Sequence, residues 1–291
     1  MVLTTDSTIG VVGLGNLGRP LALNLIDKGW RLAANDSRLD RVNELKATGT
    51  VIGSDMDSAD VLCFVVPDER AIWAVLNTGL LEAMNGRAIV VHSTILPERA
   101  RELADAVETA GGRFAAAPVS GGPERARIGD LSLIAGADAA TSAFLAPLFD
   151  AMSREVFSVA SPAAACAVKL ANQLVMFSAL ASLHEAMSLT QSYGVDDTDL
   201  LQFVESATGD TWVGRHWGFF DDVAHDYDRA GTPEQLRPWS KDLWEVLGAA
   251  REAQVSAPVA GILSQTLPAI VDAHARRVER GLSNAGEGGH A

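Results

Sequence analysis

Seven short β-branched runs alternate with helical stretches through residues 8–160, and no such run returns afterwards. The runs are Thr8–Val12, Arg31–Asn35, Val61–Val66, Ala88–Val91, Arg113–Ala116, Leu131–Ala135 and Glu155–Val159. A run such as Val61-Leu62-Cys63-Phe64-Val65-Val66 is apolar at every position, which suits a strand covered on both faces. Strands separated by helices demand right-handed crossovers and a mainly parallel sheet. Helices are expected at Arg19–Lys28, Glu69–Asn77 and Pro97–Ala110, with Gly29 and Gly111 in C-terminal capping positions. From Ala163 to Tyr193 there is neither proline nor glycine, after Pro162 at a first-turn position and before Gly194. That leaves room for a helix of about 30 residues, roughly 45 Å long. Further helices are expected at Asp197–Ser206, Lys241–Ala253 and Val259–Arg277. The predicted fold class is α/β: a Rossmann-like, doubly wound sheet over residues 1–161, then an all-helical domain over 162–291 joined through the long inter-domain helix. Residues 282–291 read as a frayed tail.

Composition narrows the partners. The 291 residues carry a formal net charge of −14. Such a surface repels phosphate backbones and anionic lipid, so neither nucleic acid nor membrane is expected as a partner. No span is expected to cross a membrane, and no signal peptide is visible. Cys63 and Cys166 lack metal-ligand spacing, so no metal is expected; two buried thiols fit a reducing cytoplasm.

Gly13-Leu14-Gly15-Asn16-Leu17-Gly18 is a G-x-G-x-x-G run placed between a predicted strand and a predicted helix, the context that pattern requires. The first glycine permits the turn, the second lets a pyrophosphate approach the backbone, and the third lets helix and strand pack closely. The helix N-terminus offers N–H groups to phosphate. Asp36 follows 18 residues after Gly18, near the spacing of a carboxylate that accepts from the ribose hydroxyls of NAD and repels the 2′-phosphate of NADP. Asn35-Asp36-Ser37 is equally turn chemistry, and Arg38 is a cation within reach of a 2′-phosphate. The cofactor is therefore NAD, with NADP as the alternative. Val66 and Pro67 end one strand and His92-Ser93-Thr94 another, at the sheet edge where ligands bind. Thr94 is either a ligand to cofactor or substrate, or the cap of the helix at Pro97.

These features, with three further segments, resemble the β-hydroxyacid dehydrogenase family. The segments are Ala117-Pro118-Val119-Ser120-Gly121-Gly122, Lys169-Leu170-Ala171-Asn172-Gln173 and Lys241-Asp242-Leu243, in the family's order across nearly the whole chain. The resemblance implies a substrate-binding loop at Ser120, Gly121 and Gly122, a catalytic Lys169, and Lys241 on the cofactor side. Ala116 stands where the family usually has Asp, Ala163 and Ala165 where it usually has Gly, and Gln173 where many members have Asn.

The chemistry agrees with those assignments. Moving a hydride to or from an alcohol carbon requires a proton acceptor or donor at the oxygen. Lys169 lies in a run of small apolar residues, where desolvation would lower its pKa and its ammonium would stabilise charge on oxygen. Asn172 and Gln173, three and four residues on, share its helix face, and either is a substrate or lysine partner. Ser120-Gly121-Gly122 offers a hydroxyl and backbone N–H groups to a carboxylate. Lys241 after Ser240 as a helix cap opposes the helix dipole, so an anion or the cofactor is expected beside it. Trp212, Trp217, Trp239 and Trp244 fall close together, either as packing and interface residues or as pocket walls. The expected function is hydride transfer between NAD(P) and a small β-hydroxy acid, by a homodimer or homotetramer. The alternatives are an imine reductase on the same scaffold, which Lys169 opposes, and a dinucleotide-binding protein without catalysis.

Overall fold

The computed structural model describes residues 3–47, 51–53 and 56–287. The chain divides into two compact units, 1–169 and 170–291.

The first unit is built on one sheet. Its strands are β1 (Thr8–Val12), β2 (Arg31–Asn35), β3 (Val51–Gly53), β4 (Val61–Phe64), β5 (Ala88–Val91), β6 (Arg113–Ala116), β7 (Val119–Ser120), β8 (Leu131–Gly136) and β9 (Ser153–Val159). The order is β3-β2-β1-β4-β5-β6-β8-β7, with β9 paired to β8. The stretch β3-β2-β1-β4-β5-β6 is parallel throughout and has the strand order of a dinucleotide-binding doubly wound sheet. The chain reverses direction at β8, which runs antiparallel to β6 and β7 and parallel to β9. The expectation of a mainly parallel sheet therefore holds for its body and fails at β7 and β8. Two-residue β7 is too short to register as a periodic pattern, and β3 also has no run long enough to show.

Period-two alternation sends neighbouring strand residues into two separate cores. Ile9, Val11, Cys63 and Val90 pack on one face with α1 (Gly18–Asp27), α2 (Leu39–Lys46), α5 (Gly122–Ile128) and α6 (Ala139–Met152). Leu62, Phe64, Ile89 and Val91 pack on the other with α3 (Glu69–Val75) and α4 (Pro97–Thr109). Both faces being dry explains why Val61–Phe64 carries no polar position. Gly29 and Gly111 follow the ends of α1 and α4 with φ of 83° and 79°, and their N–H groups bond back to Ile26 and Glu108.

Helix α7 (Pro162–Gln191) spans the division. Ser161 Oγ accepts from the Ala164 N–H at its start. In the first unit Ala165 is fully buried and packs against Gly136, where an added Cβ would come within 2.8 Å of it. The small residue at 165 thus meets a glycine on β8. Among the described residues, one segment is long and apolar enough by length and composition to cross a membrane. Pro162–Gln191 passes by length and composition, because Lys169 and Glu185 are its only charged residues. A helix apolar on all sides is also what a protein core requires. In the second unit Phe177, Leu180, Ala181 and Leu183 enter the core.

That second unit continues with α8 (Asp197–Ser206), α9 (Trp212–Arg215), α10 (Phe219–Arg229), α11 (Pro238–Glu252) and α12 (Pro258–Glu287). No strand follows β9 among the described residues. Helix α12 runs to Glu287, whereas the composition of 282–291 suggests a tail; 288–291 lie outside the described residues. Helix α11 begins at Pro238, three residues before its expected start, because proline fits a first helical position. Ser240 is therefore inside the helix and does not cap it.

Candidate functional site

The glycine-rich turn leaves β1 at the point where strand order reverses between β1 and β4, the position at which open α/β sheets bind ligands. Its three glycines have different physical reasons. Gly13 sits at φ 94°, and a Cβ there would lie 2.2 Å from the Val65 carbonyl oxygen. A Cβ on Gly18 would lie 1.9 Å from the Gly13 carbonyl oxygen. Both residues are glycine because the protein's own backbone fills the space. Gly15 is the opposite: among the described residues, chain neighbours aside, the only atom a Cβ would meet is Arg41 Nη1, at 4.0 Å. Nothing in the fold requires glycine there, while a pyrophosphate approaching the backbone does. The turn therefore fits a dinucleotide, with Leu14, Asn16 and Leu17 between the glycines.

Asp36 closes this turn from β2. Its Oδ2 accepts from the Leu14 N–H at 2.6 Å and its Oδ1 from the Arg38 N–H at 2.8 Å. Its side chain is only 5% exposed, with Arg41 Nη1 3.5 Å away. The carboxylate thus makes the predicted turn bond and also ties β2 to the glycine loop; each bond to a charged acceptor stabilises by about 1.5–3 kcal/mol. Arg38 turns to exposed Asp40, at 2.7 Å, and that carboxylate holds its guanidinium above the ordinary arginine value.

The ends of β4, β5 and β6 are stitched together by side chains. Ser93 Oγ accepts from the Val66 N–H at 3.0 Å and donates to the Val66 carbonyl at 2.7 Å, fixing Val66 and Pro67. His92, 2% exposed, is hydrogen-bonded through Nδ1 to the Ala117 carbonyl at 2.8 Å. Burial pushes its pKa down to about 4, so the ring is neutral near pH 7. Helix α4 is capped at Leu96 without a side-chain bond, so Thr94 is not its cap. Neither His92 nor Ser93 had an assigned role in the sequence, because a lone histidine or serine after a strand carries no spacing signal.

Ser120 is paired with Ser132 across β7 and β8, and Gly121 and Gly122 follow at φ 137° and 74°. A side chain at Gly121 would also press on Arg125 and Leu131 at 3.2 Å. Arg125 is bound to Asp130 at 2.9 Å, and Arg127 pairs with Asp27.

Lys169 is buried, at 8% exposure, although it lies on a helix otherwise rich in alanine. One turn on, Gln173 is 5% exposed, while Asn172 is exposed and points its Nδ2 at Gln173 Oε1 at 3.4 Å. Of the two amides left open by the sequence, Gln173 is the buried one. Within the second unit, Gln173 Nε2 donates to Asp242 Oδ2 at 2.7 Å. Asp242 Oδ1 lies 2.9 Å from Lys241 Nζ, which also reaches Glu245 Oε1 at 3.0 Å. Burial alone would lower the Lys241 pKa, but the two carboxylates more than offset it and raise the group above the ordinary lysine range. The anions expected beside Lys241 are therefore these side chains. They were missed because acidic residues on a helix usually read as a solvated face.

The tryptophans separate. Trp239 is fully buried, Trp212 and Trp217 pack against the second unit's core, and Trp244 is 61% exposed. Trp217 contacts His184 and His274 with ring centroids 4.9–5.3 Å apart across the trio. Burial, then His274, pushes His184 down to about 4. A small cavity lined by Leu180, His184, Trp217 and His274 lies wholly in the second unit and holds none of the expected site residues.

Comparison with known proteins follows this division. Residues 8–161 match the NAD-binding domain of 6-phosphogluconate dehydrogenase, and residues 163–279 match the NAD-binding domain of NADP-dependent 3-hydroxyisobutyrate dehydrogenase. The chain is 31% identical over 271 residues to a 3-hydroxyisobutyrate dehydrogenase of Pseudomonas aeruginosa, covering 89% of this chain and 90% of the relative. It is 29% identical to an NAD-dependent L-serine dehydrogenase of the same organism, over 87% and 89% of the two chains. A crystal structure of a 3-hydroxyisobutyrate dehydrogenase from Salmonella typhimurium superposes with a TM-score of 0.77 at 26% identity, covering 92% and 95%. A glycine turn shaped for a dinucleotide, the strand order around it and these matches along nearly the full length agree: the chain belongs to the β-hydroxyacid dehydrogenase family and is an NAD(P)-dependent oxidoreductase.

Proposed function

We propose that this chain oxidises a small β-hydroxy acid, or reduces the matching oxo acid, with Lys169 as the proton-transferring residue. The substrate class is a three- or four-carbon backbone bearing a carboxylate and a β-hydroxyl. The observation that carries this reading is the burial of Lys169 one turn before buried Gln173. A lysine held out of water on an apolar helix suits proton transfer at an alcohol oxygen. In this reading the dinucleotide is held by Gly13, Leu14, Gly15, Asn16, Leu17 and Gly18, with Asp36, Val66, Pro67, Thr94 and Lys241 around it, and supplies the hydride acceptor. Ser120, Gly121 and Gly122 take the substrate carboxylate, and Gln173 with Asn172 orients the reacting group. Asp36 favours NAD over NADP.

Several large apolar side chains of the second unit are exposed, among them Val175, Leu189, Tyr193, Phe203 and Ile262. Such a concentration supports a homo-oligomer, which light scattering tests directly. Cys63 and Cys166, both buried and in no disulfide, suit a reducing cytoplasm.

The deciding experiment is a panel of β-hydroxy acids assayed with NAD and with NADP. Turnover of a three- or four-carbon member with NAD is expected. Lys169→Ala should reduce kcat by roughly 10²–10⁴-fold while NAD affinity stays within about twofold. Unchanged turnover removes Lys169 from the reaction.

A further inference from the structure

We infer that His92 is a positioning residue for substrate binding, whose neutral imidazole fixes the Ala117 carbonyl and so sets where the Ser120-Gly121-Gly122 loop leaves the sheet.

The argument begins with what else can hold that segment. Ala115, Ala116 and Ala117 carry only methyl groups, so this end of β6 must be held through its backbone. The Ala117 N–H bonds to Val91 and the Pro118 carbonyl accepts from Ile134, which leaves the Ala117 carbonyl between them. His92 Nδ1 meets that carbonyl at 2.8 Å. Strand alternation places His92 on the same face as Val90 and Ala117, so the contact follows from register. Ala117 lies three residues before Ser120, and the intervening Pro118 has a fixed φ, so little freedom remains between the anchor and the loop.

The ring's other nitrogen defines its state. His92 Nε2 is buried and has no hydrogen-bond partner among the described residues. A carbonyl can only accept, so Nδ1 carries the hydrogen and Nε2 is a bare lone pair. A charged ring would instead bury a second N–H without an acceptor. A leucine or methionine would fill the same space with no polar atom to desolvate, so the imidazole is not explained by core stability. The bond to Ala117 is the one specific thing it supplies.

This inference rests on the proposed dehydrogenase reading, in which the loop takes the substrate carboxylate, and its test separates the two. His92→Leu removes the donor; His92→Asn keeps an N–H near the Nδ1 position. The expected result is a KM for the hydroxy acid raised about tenfold or more in His92→Leu, with kcat reduced less and NAD affinity unchanged, and a KM restored to within about threefold in His92→Asn. An unchanged KM in His92→Leu overturns the inference, as does an equal loss of hydroxy-acid and NAD binding, which marks a merely structural residue. Nitrogen-15 NMR of the wild-type imidazole in the absence of substrate provides a second measurement that needs no variant to fold. A neutral ring protonated at Nδ1 is expected, and protonation at Nε2 overturns the inference. Wild-type protein that turns over no β-hydroxy acid sinks the dehydrogenase reading instead, while the tautomer still decides whether His92 holds Ala117.

Discussion

The glycine turn of the first unit and the Gln173-Asp242-Lys241-Glu245 cluster of the second are built from opposite materials. The turn is made of backbone: its geometry comes from residues that lack side chains, and a single carboxylate, Asp36, pins it from β2. The cluster is made of side chains: a buried amide, two carboxylates and an ammonium linked at 2.7–3.0 Å on helices α7 and α11. A site made of backbone is specified by where atoms are missing. A site made of buried charges is specified by which charges balance, and removing one leaves the others desolvated.

Substitutions that strike each site differently test that contrast. The largest effect is expected from Gly18→Ala, whose methyl would sit 1.9 Å from the Gly13 carbonyl oxygen. Either the turn opens or α1 shifts, and dinucleotide binding measured by fluorescence should fall by more than about 100-fold, or about 3 kcal/mol. Normal binding would mean that the third glycine is not a packing requirement. Asp242→Ala should destabilise the second unit by about 3 kcal/mol, since it removes the acceptor of the Gln173 Nε2 hydrogen bond and one of the buried carboxylates beside Lys241. A loss below about 1 kcal/mol in denaturant titration would show that Glu245 suffices for Lys241.

Acid should weaken the first unit through His92. Its folded pKa of about 4 lies below the ordinary 6.5, so the unfolded chain takes up the proton first. Stability is full above pH 6.5 and is lost progressively as pH falls toward 4, by roughly 3 kcal/mol for this group. His92→Asn should flatten that part of the pH–stability curve; an unaltered slope would assign the loss to other groups.

Asp36→Ala should shift the ratio of NAD to NADP affinity toward NADP by roughly tenfold, about 1.4 kcal/mol. A weakened but unshifted preference would leave Asp36 only its bonds to the Leu14 and Arg38 N–H groups. The smallest effect on stability belongs to Gly15→Ala, within about 1 kcal/mol because among the described residues, chain neighbours aside, no atom comes closer than 4.0 Å. The same change should still weaken dinucleotide binding about tenfold or more. If binding were untouched, the open space at Gly15 would not be where the pyrophosphate rests.

How much of this was legible in the sequence differs between the two regions. Gly13, Gly15 and Gly18 announce their turn because a missing side chain at fixed spacing is itself the signal. The strands β4 and β5 announce themselves because burial on both faces forces unbroken apolar runs. Helix α7 was legible from the absence of proline and glycine, and Lys169 stood out as a cation in an alanine-rich run. By contrast β3 and β7 are two or three residues long, and Pro238 rather than Ser240 opens α11.

The sequence by itself determined seven of the nine described strands, their alternation with helices, the long helix α7 and the dinucleotide turn, since each depends on local sterics or periodicity. Only the tertiary structure decided that Asp36 also holds Leu14, that Gln173 rather than Asn172 is buried and meets Asp242, and that His92 grips Ala117. The partners of those contacts lie 22, 69 and 25 residues apart for Asp36, Gln173 and His92. A hydrogen bond across such separations leaves no periodic trace in the chain, because its geometry is set by how sheets and helices pack and not by spacing along the backbone.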